Sequence, residues 1–256
     1  MKTKAPAIFY ILLALMMPLT YGLFQEFFFE ILYSFPIAKT DIFYEYVQDN
    51  PFFTDALFCV VAFLIYLGMY QILLLVTRKH RQKEEEASIA AQEEAKLGVL
   101  APHGWKPIRK KFTIWSLLFC LIVALGLGGI STIWLNFADG LGDSLLSESL
   151  DEFANTFAYD PDVEDYIWPF LSIVLLGPII EEILFRGLMF HFALRVRRRW
   201  FPILLTGIVF GLWHVIPVQV VYTAFMGIGL GIVYYATGNL WFPIWIHVIN
   251  NFFSRL

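Results

Sequence analysis

Residues 177–187 read GPIIEEILFRG, with two adjacent glutamates and an arginine inside an otherwise apolar run. Further on, FGLWH spaces Phe210 and His214 four apart, and HVINN does the same for His247 and Asn251. A free carboxylate, two imidazoles and an amide in a dry pocket suit peptide hydrolysis. A carboxylate at low dielectric holds a proton more readily and can act as general base on a water. One imidazole can position or polarise that water. A second imidazole and an amide can donate to the oxyanion of a tetrahedral intermediate, where losing one donor costs about 100- to 1,000-fold in rate. The same carboxylate and imidazoles, Glu181, His214 and His247, could instead ligate zinc. The H-E-x-x-H zinc signature is absent, however, and asparagine is a better oxyanion donor than zinc ligand. No cofactor is therefore expected, with zinc the alternative.

Helix periodicity assigns roles within each stretch. At about 100° per residue, Glu182 and Arg186 share a face and can pair, which neutralises the arginine. Glu181 lies about 140° around from Arg186 and has no cation on its own helix. It is the expected base, with Glu182, Arg186 and Phe210 in support. Pro178 removes one helix hydrogen bond just before the pair. Asn250 lies about 100° from Asn251 and is expected to pack. His191, about 15 Å beyond Glu181 along the axis, is expected at the interface.

These residues need a membrane scaffold to hold them. The chain is 59% hydrophobic and 16% charged, against about half and a quarter in soluble domains. Apolar runs at 7–24, 56–76, 112–137, 166–194, 201–217, 218–237 and 240–254 predict an all-α polytopic transmembrane bundle of about seven spans. A charged side chain at mid-bilayer costs about 2.5–3.5 kcal/mol on insertion scales, so the ionisable groups above must face protein or a wet cavity. The lysine- and arginine-rich segments 77–111 and 195–200, set against acidic 25–55 and 138–165, predict a cytoplasmic N-terminus and, with seven spans, an external C-terminus. The first run resembles a signal peptide but lacks a small-residue cleavage site, so an uncleaved span is expected. EEEASIAAQEEAK is expected to extend span two, until APHGWKP breaks it. Cys59 and Cys120 fall in apolar spans and read as buried packing residues. Residues 1–111 carry two spans and a basic loop, and 112–256 carry the polar constellation, which divides the chain into an N-terminal region and a catalytic membrane core. Nothing suggests a nucleic-acid partner.

E-E-x-x-x-R, F-x-x-x-H and H-x-x-x-N, in that order and each within an apolar span, resemble the CPBP family of type II CAAX-prenyl proteases and bacteriocin-processing or immunity (Abi) proteins. The likeness covers roughly 166–254. It implies an intramembrane endopeptidase of the glutamic type, multi-pass in a bacterial cell membrane, acting on a membrane-associated or lipidated protein or peptide. It further implies Glu181 as the water-activating base, His214 as its assistant, and His247 with Asn251 as the oxyanion site. A non-catalytic immunity or scaffold protein of the same fold is the alternative. A proton-coupled transporter ranks lower, since no inverted repeat is present. The glycines of GIGLG (227–231) are expected to pack within the bundle.

Overall fold

The computed structural model describes residues 7–96, 110–142, 145–156, 165–196 and 200–254, with side chains for all of these except 78–96. Among them the regular elements are helices: α1 (Ala7–Ser34), α2 (Asp41–Asp49), α3 (Phe52–Lys96), α4 (Ile114–Asp139) and α5 (Leu145–Thr156). They continue as α6 (Ile167–Ala193), α7 (Phe201–Trp213), α8 (Pro217–Thr237) and α9 (Trp241–Phe253). The segment before APHGWKP extends span two as expected, since α3 runs unbroken to Lys96. APHGWKP itself, and the arginines at 197–199, lie outside the described residues.

The expectation of about seven spans is met in part. Five described helices are long and apolar enough to cross a membrane: α1, Phe52–Thr77 of α3, α4, α6 and α8. α7 and α9 have 13 residues each, about 20 Å at 1.5 Å per residue, short of a hydrocarbon core of about 30 Å. The sequence disguises this, because α7 is followed by apolar residues that turn rather than continue the helix.

α6 is the central helix. Half of its apolar window is buried in protein, against 11% for α1 and 17% for α3 and α4. The outer helices turn large apolar side chains outward, among them Leu23, Trp115 and Ile133, as lipid-facing surfaces do. One hydrophobic cluster joins α1 (Ala14, Tyr21), α3 (Phe58, Tyr66), α6 (Ile180, Phe185) and α7 (Phe210, Trp213). A second joins α4, α8 and α9 through Cys120, Leu230 and Ile246.

The connections sort by charge. At one end Asn50 accepts from the Asp165 N–H (3.2 Å), and Ser149 on α5 accepts from the Val218 N–H (3.0 Å). The segments at that end carry Asp41, Glu45, Asp49, Asp139, Glu148 and Asp151, with Lys39 the one basic residue there among those described. At the other end the Lys110 N–H donates to Thr237 O (3.0 Å) and Asn239 donates to Lys110 O (2.9 Å). Lys110, Lys111 and Arg195 belong to that end.

α7 and α8 form a tight antiparallel hairpin because glycines let their backbones meet. A Cβ on Gly227 would stand 2.9 Å from both the Cα and the carbonyl oxygen of Gly207, and one on Gly211 would stand 2.6 Å from Val220 O. The G-x-x-x-G face thus packs inside the bundle. Gly227→Ala should cost about 1–3 kcal/mol by overpacking, read as an earlier melting transition in detergent. Gly126→Ala, whose Cβ meets nothing within 4 Å, should melt like wild type. Equal melting of the two variants would contradict this account of the hairpin.

Candidate active site

α6 is not a uniform α-helix. Phe170–Leu176 and Ile183–Met189 are π-helical, and Gly177–Glu182, which carries both glutamates, is an α-helical turn between them. π segments are rare and concentrate at functional sites. The wider turns alter the register assumed by a straight α-helix, yet the Glu182–Arg186 pair survives at 2.8 Å, with neither side chain exposed. The second arm of the guanidinium, Nη2, donates to Gly227 O on α8 at 2.8 Å. Its Cζ lies 4.8 Å from the Phe210 ring centroid, within cation–π range. Arg186 therefore ties α6 to both halves of the α7–α8 hairpin.

Glu182 does more than neutralise Arg186. Its Oε1 also contacts His247 Nδ1 at 3.0 Å. A carboxylate paired with arginine only accepts, so Nδ1 carries the hydrogen and donates. In the neutral imidazole this leaves a lone pair on Nε2, which faces Glu181 Oε2 at 3.8 Å. That gap is too long for a hydrogen bond and is of the size a bridging water spans. His247 thus stands beside both carboxylates, whereas spacing within α6 had set them on separate faces. The Glu181 side chain keeps 23% of its surface exposed. Its Oε2 has no hydrogen-bond partner among the described residues, and neither have Glu182 Oε2 and Arg186 Nε.

His214 sits at the end of α7. Its Nδ1 is 2.8 Å from Phe210 O, and since a carbonyl only accepts, Nδ1 is again the donor. Phe210 organises the centre, with its ring edge-on to both imidazoles at 4.9 Å (His214) and 5.6 Å (His247). α7 stops here because Val215 adopts φ 63°, the left-handed region, and Pro217 opens α8. The Ile216 N–H turns back onto His214 O at 2.6 Å. A β-branched residue in that region is a true outlier and costs on the order of 1–3 kcal/mol. The Trp134 indole, donating to Val218 O at 2.8 Å, and Ser149 hold the turn from outside.

Asn251 donates through Nδ2 to Ile173 O on α6 at 2.9 Å, which leaves one amide N–H and its carbonyl uncommitted by that bond. Asn250 contacts Met226 Sδ at 3.6 Å and packs, as its angle on the helix requires. His191 lies against Phe192 (5.9 Å). Pinning both Nδ1 atoms gives each histidine the tautomer a metal would need at Nε2. Yet among the described residues no three His, Cys, Asp or Glu side chains stand close enough to hold one ion. Glu181, His214 and His247 in this arrangement do not fit a three-ligand centre.

No spacing within the chain points to the aromatic cluster next to His214. Tyr21 of α1 packs edge-on to Trp213 at 5.3 Å and to Phe58 of α3 at 5.2 Å. Aromatic residues in apolar spans are too common to signal such a contact.

Residues 163–253 match the family model for type II CAAX prenyl endopeptidase Rce1-like proteins. The chain is also 34% identical over 88 residues to a Bacillus subtilis (strain 168) protein named "Putative membrane peptidase YdiL". That alignment covers 33% of this chain and 36% of the relative, so the chain spans about a third of the length of the curated relative it matches. No solved structure matches.

The buried pair yields a stability prediction. Arg186→Gln strands the Glu182 carboxylate and empties the bond to Gly227 O, and breaking a buried pair costs about 3–5 kcal/mol. Detergent melting should fall accordingly. A wild-type melting curve would show that Arg186 does not carry the packing of α6 on α8.

Proposed function

We propose that the chain, whose residues 163–253 match the Rce1-like model, is a member of that family of CAAX proteases and an intramembrane endopeptidase of the glutamic type. It hydrolyses a peptide bond of a membrane-associated or lipidated protein or peptide. The observation that carries this reading is the approach of Glu181 Oε2, buried and without a hydrogen-bond partner among the described residues on a side chain that is otherwise partly exposed, to His247 Nε2 across 3.8 Å. A water between two acceptors donates a proton to each and turns its own lone pairs outward, toward a carbonyl carbon.

On this reading Glu181 takes one proton as the water oxygen bonds to the carbonyl carbon, and gives it to the amine nitrogen as the C–N bond breaks. Glu182, itself neutralised by Arg186, holds His247 in the tautomer whose Nε2 accepts. Both histidines share one tautomer, so it is the 3.8 Å approach of His247 Nε2 to Glu181 that favours His247 over His214 as the partner of that water, while His214 lines the site from the end of α7. With both Nδ1 hydrogens committed, neutral histidines have no N–H left for an oxyanion. That duty falls to the second N–H of Asn251. Phe210 keeps the two rings in place. No step requires a metal.

We place the N-terminus in the cytoplasm. The separation of acidic and basic residues at the two ends of the bundle supports this, because lysine and arginine are retained on the cytoplasmic side. The acidic end, with α2 and α5, is then external, as suits a multi-pass protein of a bacterial cell membrane.

Reconstituted Glu181→Gln protein should fold and melt like wild type yet lose cleavage of membrane peptides by at least about 100-fold, the lower end for removing a positioned base. Cleavage at the wild-type rate by that variant would refute Glu181 as the base. Single cysteines introduced at Ser147 and Lys110 test the orientation in intact cells. Ser147→Cys should react with an impermeant reagent from outside and Lys110→Cys should not; the reverse pattern would invert the topology.

A further inference from the structure

We infer that the Gly177–Pro178 pair fixes Asn251 in the site by leaving the Ile173 carbonyl without a helical donor. In the π segment the Gly177 N–H donates to Ser172 O, five residues back. That bond uses the donor which an α register would send to Ile173 O. One step on in the π register the donor is the N–H of residue 178, and proline has none. The carbonyl is thus left by both registers, and an unpaired carbonyl in an apolar bundle is costly. Asn251 Nδ2 fills it at 2.9 Å. Gly177 belongs to the device because a Cβ there would lie 2.4 Å from Ser172 O, so a side chain would expel the π turn.

The bond reaches from α6 to α9 and sets the roll of α9 about its own axis. His247 lies one turn before Asn251 on that helix, so the same bond helps hold its Nε2 toward Glu181. One amide N–H anchors Asn251 and the other is left for a ligand. Pro178 is therefore a positioning residue: it touches no reacting group, and it acts by withholding a hydrogen bond that would otherwise compete for Ile173 O.

The kinetic arm of the test rests on the proteolytic reading, and the stability arm does not. Wild type, Pro178→Ala, Asn251→Ala and the double variant are compared in detergent melts. In the wild-type background Asn251→Ala strands the carbonyl and should lower the melting temperature by about 3–8 °C. With Pro178→Ala the new N–H can serve Ile173 O, so adding Asn251→Ala should cost less than half as much. If the single variant fails to fold and the double variant folds, that rescue supports the same coupling. Equal losses in both backgrounds, including failure to fold in both, overturn it. In cleavage assays Pro178→Ala should lower kcat about tenfold with KM within about twofold, since the base stays intact and only its partners loosen. A wild-type kcat would remove the positioning role. Absence of cleavage by wild type would defeat the proteolytic reading and leave the melting result standing.

Discussion

A guanidinium with none of its surface exposed, in the middle of a membrane helix, must find all its compensation inside the protein. Arg186 finds it in three directions, a carboxylate on its own helix, a backbone carbonyl on α8 and the face of Phe210 on α7, with Nε alone of its nitrogens left without a partner among the described residues. Insertion of such a charge into lipid is costly, so this arrangement and the bundle form together or not at all. Much of the site is referred to it. Glu182 is fixed by Arg186, and the oxygen that accepts from Arg186 also accepts from His247. One carboxylate oxygen thus carries both the cohesion of three helices and the tautomer of an imidazole.

The helix that bears the carboxylates departs from α geometry on both sides of them. A π turn widens the helix and breaks the strict succession of backbone bonds. In a bilayer no water repairs such breaks, so neighbouring helices must. α6 can tolerate this because it is the most enclosed of the spanning helices. Its irregularity and its burial are two sides of one arrangement.

Much of the site was legible because spacing within a helix survives folding. Glu182 with Arg186, Phe210 with His214, and His247 with Asn251 each lie four apart, and two of these intervals became direct contacts. The extension of α3 and the packing role of Asn250 were read from the same periodicity. Contacts between helices were not legible. No spacing rule joins His247 to Glu182 at a separation of 65 positions, or Tyr21 to Trp213. The π segments were hidden too, since a slip of one residue hardly alters an apolar pattern. The span count suffered for a related reason: hydropathy records that 201–217 is apolar but not that Val215 reverses the chain.

That reversal has a consequence for how the protein meets a ligand. Disordered loops that close on binding give up part of their affinity to the entropy of becoming ordered. Here the unfavourable conformation of Val215 is already adopted, locked by Pro217 after it and by Ser149 and Trp134 against it. The penalty is met once, when the chain folds, and does not recur at each encounter. His214 is thereby held in place before any ligand arrives, and on the proposed reading a peptide substrate has only itself to arrange.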